Sequence, residues 1–264
     1  MKLKFHKYQG AGNDFVIVDN RDGHFDGDNE QLVRFLCDRR FGVGADGLML
    51  LQNDPQTEFL MRYYNSDGGE ASMCGNGGRC IAAFAVHQKL VKDPSSFVFN
   101  AVDGLHEASY GHGGIVSLKM QDVTHVARYG DAFFLNTGSP HHVVLVADTG
   151  EQDVAGVGRS IRYSPQYAPE GTNVNFVSID SMDHITVRTY ERGVEDETLA
   201  CGTGVVASAI CASLVNGSLQ FWVNVKGGSL KVRFDRRGDQ EFRNVYLVGP
   251  AQFVFSGAID VTNH

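Results

Sequence analysis

Cys74 and Cys201 each open a short glycine-rich turn, Cys74-Gly-Asn-Gly77 and Cys201-Gly-Thr-Gly204, in front of a stretch that is apolar or small nearly all round. A thiol just before a helix sits beside unpaired N–H groups and the positive end of the dipole, which favour the thiolate and are expected to lower its pKa. The amides that follow, at Gly75 and Asn76 and again at Gly202 and Thr203, are placed to receive an anion such as a carboxylate. Face to face, two such turns would hold a substrate carboxylate with its α-carbon between two sulfurs. One thiolate would remove the α-proton and the opposite thiol would deliver another, inverting the centre with no cofactor. The amide donors would stabilise the charge that builds on the carboxylate as the proton leaves. Taken alone, two cysteines at helix starts read as core residues, because structural thiols outnumber catalytic ones.

A repeat reverses that reading. The two turns lie 127 residues apart (201 minus 74). The segment from Arg62 to Cys74 matches that from Arg188 to Cys201 with one residue inserted in the second copy, and Gly44 to Leu48 lies 127 residues before Gly171 to Asn175. The chain reads as a diverged duplication, two halves that each wrap a sheet round a buried helix and face each other across a central cleft. Ile81 to Val86 and Val205 to Val215 supply those helices, since a helix apolar on every side belongs inside.

The positioning elements are short. Val/Ile/Phe/Tyr-rich stretches at 15–18, 97–99, 115–118, 143–146, 185–188, 230–233 and 245–248 recur between glycine-bearing turns and predict strands. Turns rather than crossover helices separate most of them, so antiparallel pairing is expected. One amphipathic helix is predicted from Asn29 to Arg40, with Leu32, Val33, Phe35 and Leu36 inward. Met1 to Tyr8 alternates polar and apolar residues and predicts a half-exposed strand.

Composition narrows the partners. At 264 residues, 42% hydrophobic and 20% charged, the chain is an ordinary globular protein of one large domain or two smaller ones. A formal charge of -8 makes nucleic acid an unexpected partner. No apolar run approaches the ~20 residues that span a bilayer, so no membrane association is expected. The cysteines number 5, with no C-x-x-C pair, which fits neither a disulfide scaffold nor a zinc ribbon; with no apolar leader at the N-terminus, a cytoplasmic, reduced protein is expected.

Other motifs have simpler explanations. Gly42-Val-Gly-Ala-Asp-Gly47 spells a dinucleotide fingerprint but follows a helix and precedes a strand, the reverse of what that fingerprint needs, and reads as a tight turn. His141 and His142 are adjacent on a strand and point to opposite faces, and no carboxylate cluster accompanies them, so no metal is expected. Asn216-Gly-Ser218 has the form of a glycosylation sequon, but Gly217 ending a helix explains it. Cys37, Cys80 and Cys211, in apolar helical contexts, are given no role.

In order along nearly the whole chain stand Gly10-Ala-Gly-Asn-Asp-Phe15, Gly42-Val-Gly-Ala-Asp-Gly47, Tyr64-Asn-Ser-Asp-Gly68, Cys74-Gly-Asn-Gly77 with Arg79-Cys80, Gly138-Ser-Pro-His141, Gly171-Thr-Asn-Val-Asn175, Tyr190-Glu-Arg-Gly193, Cys201-Gly-Thr-Gly204 and Gly227-Gly-Ser229. With these motifs the sequence resembles the cofactor-independent diaminopimelate epimerases of lysine and peptidoglycan biosynthesis. The resemblance implies an α+β fold of two pseudo-symmetric halves, each an antiparallel sheet curled round a central helix, with the active site in the cleft between them. The halves are expected at 1–120, joined by a returning segment 251–264, and at 121–250. Cys74 and Cys201 match the family's acid/base pair, and His141 and Glu191 match residues that modulate the thiols. Asn13, Asn65, Asn173, Glu191 and Arg192 match its substrate-binding side chains, and Gly75, Asn76, Gly202 and Thr203 its main-chain carboxylate site. Diaminopimelate is then the substrate and a homodimer the assembly, with no cofactor. Gly47 and Ser139 depart from the family's usual residues. A proline or hydroxyproline epimerase of the same fold, or a non-catalytic dithiol redox or binding protein, are the competing readings.

Overall fold

A computed structural model describes residues 2–71, 74–238 and 240–262. Met1, at the head of the predicted first strand, and Asn263 and His264, at the end of the predicted returning segment, lie outside them. The chain divides into two compact units, Met1–Leu118 with Pro250–His264, and Lys119–Gly249.

The first unit runs β1 (Lys2–Gly10), β2 (Asn13–Asp19), α1 (Glu30–Cys37), β3 (Gly47–Gln52), β4 (Leu60–Asn65), β5 (Glu70–Ala71), α2 (Gly75–His87), β6 (Phe97–Ala101), β7 (Gly104–Tyr110) and β8 (Ile115–Lys119). The second runs β9 (Val126–Tyr129), β10 (Ala132–Asn136), β11 (Pro140–Leu145), α3 (Val154–Arg162), β12 (Asn173–Ile179), β13 (His184–Glu191), β14 (Asp196–Thr198), α4 (Gly202–Asn216), β15 (Gln220–Val225), β16 (Gly228–Arg237) and β17 (Glu241–Pro250). Last comes β18 (Gln252–Asp260), which returns to pair antiparallel with β1.

Each unit repeats one wiring. In the first, β1–β2, β3–β4, β4–β5 and β6–β7 are antiparallel while β2–β3 and β4–β6 are parallel. In the second, β10–β11, β12–β13, β13–β14 and β15–β16 are antiparallel while β11–β12 and β13–β15 are parallel. Most neighbours pair antiparallel, as expected, and the parallel pairs among them make each sheet mixed. Parallel neighbours need a crossover, and the four helices are those crossovers. The ladders also reset the repeat: Leu48 faces Tyr64 as Val174 faces Tyr190, an offset of 126 (190 minus 64). The offset is 127 by β5 and β14, where Glu70 faces Tyr64 as Glu197 faces Tyr190, and it is still 126 on β3 and β12, so Gly47 corresponds to Asn173.

Helix α1 ends at Cys37, three residues before the predicted end. Asn29 caps its start by accepting from the Leu32 amide at 3.1 Å. At the other end Asp38 turns extended, its carboxylate accepts from the Arg40 and Phe41 amides, and the Leu36 carbonyl takes the amides of Val43 and Gly44. This folded-back exit is what the fingerprint-like glycines build. Gly44 has φ +83°, and a Cβ on Gly42 would lie 1.8 Å from the Phe35 carbonyl oxygen. Backbone cannot yield that space, so Gly42→Ala is expected to cost about 2–4 kcal/mol, read as a fall in denaturant midpoint at unchanged slope. An unchanged midpoint would contradict the packing described.

Helix α3 escaped the sequence reading because two glycines interrupt its pattern. Packing overrides propensity there: a Cβ on Gly158 would meet the Tyr190 Cβ at 2.5 Å, so the glycine admits the helix onto β13. Helices α2 and α4 match expectation. Gly75 to Ala85 are buried without a break, as are Gly204 to Ser213.

Candidate active site

Cys74 is the N-cap residue of α2 and Cys201 that of α4, both extended (φ -98°, ψ 127° and φ -110°, ψ 110°), and neither side chain makes a capping bond. Gly75 and Asn76, and Gly202 and Thr203, supply the first-turn amides, which have no partner within a helix. Cys74 is partly accessible and Cys201 is buried.

In the first unit the structure gathers Asn13, Cys74 and Asn76. Asn13 begins β2, and its Oδ1 accepts from Cys74 Sγ at 3.6 Å and from Asn76 Nδ2 at 3.3 Å. Its Nδ2 donates to Asp46 at 2.6 Å, which fixes the amide's orientation. Behind it Arg39 bridges Asp46 and Asp14, and Lys7 pairs with Asp14 at 2.7 Å. Burial would raise the Asp14 carboxyl, but the hydrogen bonds from Arg39 and Lys7 outweigh it and hold it at about 2, below the ordinary 3.8. A depressed carboxylate contributes stability above its unfolded pKa and loses it as the pH falls toward its folded one. Asp14→Asn is therefore expected to remove about 2 kcal/mol at pH 7 and to flatten the loss of stability between about pH 4 and 2, measured by urea unfolding against pH. A retained acid limb would rule Asp14 out as its source.

Fully buried Arg79, from the Arg79-Cys80 motif, donates to the Asn76 side chain at 3.0 Å and the Gly75 carbonyl at 3.3 Å. Asn65 ends β4 opposite Gly47 and is exposed. The departure at Gly47 has a steric cause: a Cβ there would lie 2.6 Å from both the Tyr64 carbonyl oxygen and the Tyr63 ring.

The second unit gathers His141, Asn173, Arg192, Cys201 and Thr203. His141 Nε2 lies 2.9 Å from Thr203 Oγ1 and 3.0 Å from Ser139 Oγ, and Thr203 Oγ1 lies 3.5 Å from Cys201 Sγ. Asn173 donates to Ser139 and to the Pro140 carbonyl and accepts from the Arg192 amide at 2.9 Å. The Arg192 guanidinium reaches the Glu170 carbonyl at 3.3 Å. Glu191, the last residue of β13, accepts from Thr198 on β14 at 2.8 Å. Burial first, then the positive charge of Arg192, pushes His141 down to about 3, so the imidazole is neutral across the working pH range. His142 turns the other way, to Tyr167 at 2.7 Å, as strand alternation predicts.

Sequence reasoning left Asp46, Ser139, Asn175 and Arg79 without roles. Asn173 and Asn175 stand two apart on β12, and that period of two was the available signal. Burial pushes Cys37 and Cys80 up to about 12, and Cys211 rises for the same reason; these thiols stay protonated. Among the described residues no group of three or more His, Cys, Asp or Glu is arranged to hold a metal ion.

The family model described as diaminopimelate epimerase matches twice, over residues 5–126 and 133–254. A diaminopimelate epimerase of Flavobacterium psychrophilum is 49% identical over 259 residues, covering 97% of this chain and 100% of the relative. One of Chlorobaculum tepidum is 42% identical, covering 95% and 98%. Among solved structures, a phenazine biosynthesis protein of the PhzF family from Bacillus anthracis superposes with TM-score 0.75 at 13% identity, covering 99% of this chain and 100% of that one. A probable proline racemase from Agrobacterium radiobacter gives TM-score 0.70 at 16% identity, covering 98% and 93%. Those two share the fold; the sequence relatives carry the family. With two matched repeats and near-complete coverage, the chain belongs to the diaminopimelate epimerase family.

Proposed function

We propose that the chain interconverts LL- and meso-2,6-diaminopimelate by proton transfer at one α-carbon, with Cys74 and Cys201 as the acid/base pair. One observation carries the reading: each repeat ends its β-β unit in an N-cap cysteine on a buried helix whose first residues are small, inside a chain 49% identical to a diaminopimelate epimerase. Inversion by two groups requires the sulfurs on opposite faces of the α-carbon, and the amides of Gly75, Asn76, Gly202 and Thr203 then receive its carboxylate. Asn13, Asn65, Asn173, Glu191 and Arg192 bind the substrate, Arg192 taking the distal carboxylate and amide oxygens the distal ammonium, and that dedicated recognition leaves the second stereocentre untouched. His141 and Glu191 modulate the thiols. The route requires no cofactor.

The same reading places the protein in the cytoplasm, in lysine and peptidoglycan precursor synthesis, as a homodimer. No helix among the described residues is long and apolar enough to cross a membrane. Reduced protein given LL-diaminopimelate, L-proline and trans-4-hydroxy-L-proline in parallel, with products resolved by chiral chromatography, tests the substrate. Conversion of diaminopimelate alone is expected. Conversion of an imino acid instead would keep the two-thiol chemistry and overturn the substrate.

A further inference from the structure

One polar chain in the second unit assigns the His141 tautomer and, from it, a consistent direction for the hydroxyl hydrogens. Asn175 Nδ2 lies 3.2 Å from the His142 carbonyl oxygen and 3.0 Å from His141 Nδ1, while its Oδ1 accepts from Thr189 Oγ1 at 2.9 Å. A carbonyl oxygen only accepts, so the amide nitrogen faces it, and the second Nδ2 hydrogen points at the imidazole. His141 Nδ1 is then the lone-pair nitrogen and the ring proton sits on Nε2. Ser139 Oγ, 3.0 Å from both His141 Nε2 and Thr203 Oγ1, receives Asn173 Nδ2 at 3.3 Å. With the His141 Nε2–H and the Ser139 hydroxyl both donating to Thr203 Oγ1, the Thr203 hydrogen is left for Cys201 Sγ, 3.5 Å away.

We propose that Asn175 is a positioning residue: it holds His141 in the Nε2–H tautomer and so turns the Thr203 hydroxyl toward the Cys201 sulfur, where it stabilises the thiolate. This rests on Cys201 being a working thiol. With the opposite tautomer, the Nε2 lone pair would draw the Thr203 hydroxyl away from the sulfur.

Two independent observations support the assignment. A Cβ on Gly204 would lie 2.4 Å from Asn175 Oδ1 and 3.3 Å from His141 Cε1, so the last glycine of the Cys201-Gly-Thr-Gly204 turn is what admits this pair beneath the helix. The repeat then shows that the fold does not require it. Ladder positions equivalent to His141, Asn175 and Thr189 carry Phe15, Met49 and Tyr63 in the first unit, and a Cβ on Gly77 there would meet the Met49 sulfur at 3.2 Å. An apolar floor suffices to build the turn. The polar one belongs to Cys201 alone. Among the described residues the charge that acts on His141 is Arg192, just beyond β13, and the thiol against Thr203 is Cys201; His142 is turned to Tyr167.

The test uses the full chain with 15N-labelled histidine, His141 being assigned by the signals lost in His141→Gln, and iodoacetamide alkylation of each cysteine followed against pH by mass spectrometry. In the unaltered protein the His141 proton is expected on Nε2. In Asn175→Asp the carboxylate can only accept, so Nδ1 takes a proton; read at a pH where the ring is neutral, the proton is on Nδ1 and has left Nε2. The midpoint of Cys201 alkylation then rises by about one pH unit, a tenfold loss of thiolate at fixed pH, with Cys74 unmoved as the internal control. Thr203→Val is expected to shift Cys201 equally while leaving the His141 tautomer unchanged, and Thr203→Ser to restore it. This second series decides the matter if Asn175→Asp does not fold. A proton on Nδ1 in the unaltered protein, or a Cys201 midpoint unchanged in folded variants, overturns the proposal. Alkylation needs no diaminopimelate, so failure of the substrate assignment leaves this result standing.

Discussion

Cys74→Ala and Cys201→Ala are each expected to lower turnover of LL-diaminopimelate by about 10³-fold or more, at little cost to the fold. Proton transfer by a positioned group contributes about 10²–10⁴-fold, and a two-base inversion loses its cycle when either base is missing. The serine variants separate chemistry from structure more sharply. A hydroxyl is far too weak an acid to exchange protons at neutral pH, yet serine is a preferred N-cap residue and the cysteines make no capping bond of their own. Cys74→Ser and Cys201→Ser should therefore be as inactive as the alanine variants while equalling or exceeding the parent in stability by about 0.5–1 kcal/mol. Activity is followed by chiral chromatography and stability by urea unfolding. Turnover within tenfold of the parent in either serine variant would exclude that thiol as acid or base.

Arg192→Met is expected to lower kcat/KM for diaminopimelate by about 10- to 100-fold, mainly through KM. Its backbone amide is fixed by Asn173 at 2.9 Å, and among the described residues its guanidinium donates to the Glu170 carbonyl at 3.3 Å. The fork is thus anchored at its root and retains donors for a distal carboxylate. A charge-assisted pair of that kind is worth about 1.5–3 kcal/mol. Lysine should restore part of the loss, since it returns the charge without the planar fork. Methionine and arginine enzymes with equal KM would remove Arg192 from the substrate site and reopen the cyclic imino acids, which lack a distal carboxylate.

The sequence displays the chemistry more openly than the sheet. Both cysteine turns, the buried helices behind them and the duplication are visible because small residues and glycines mark close approach, and close approach leaves few alternatives. Parallel pairing was hidden: α3 is short, broken by Gly156 and Gly158, and held by Tyr190 rather than by propensity. The exit of α1 was hidden too, since only the finished turn shows Asp38 and Leu36 collecting the amides that a longer helix would have used. Within the site, residues that lie beside a cysteine in sequence were legible. Those reaching it across strands, Asp46 to Asn13 and Asn175 to His141, depend on register that one sequence does not state. The duplicated wiring supplies that register after the fact, and it exposes the difference between the two thiol environments.

Incubation of the reduced protein with LL-diaminopimelate in deuterated water, followed by NMR of both α-positions and chiral separation of the isomers, tests the central claim most directly. In the first few per cent of conversion, before the reverse reaction returns labelled LL isomer that can bind by its other end, the account predicts meso product carrying solvent deuterium at the inverted centre and none at the other. Epimerisation that retains the original proton would contradict opposed thiols in exchange with solvent, and deuterium at both centres would contradict a site that distinguishes the two ends of its substrate.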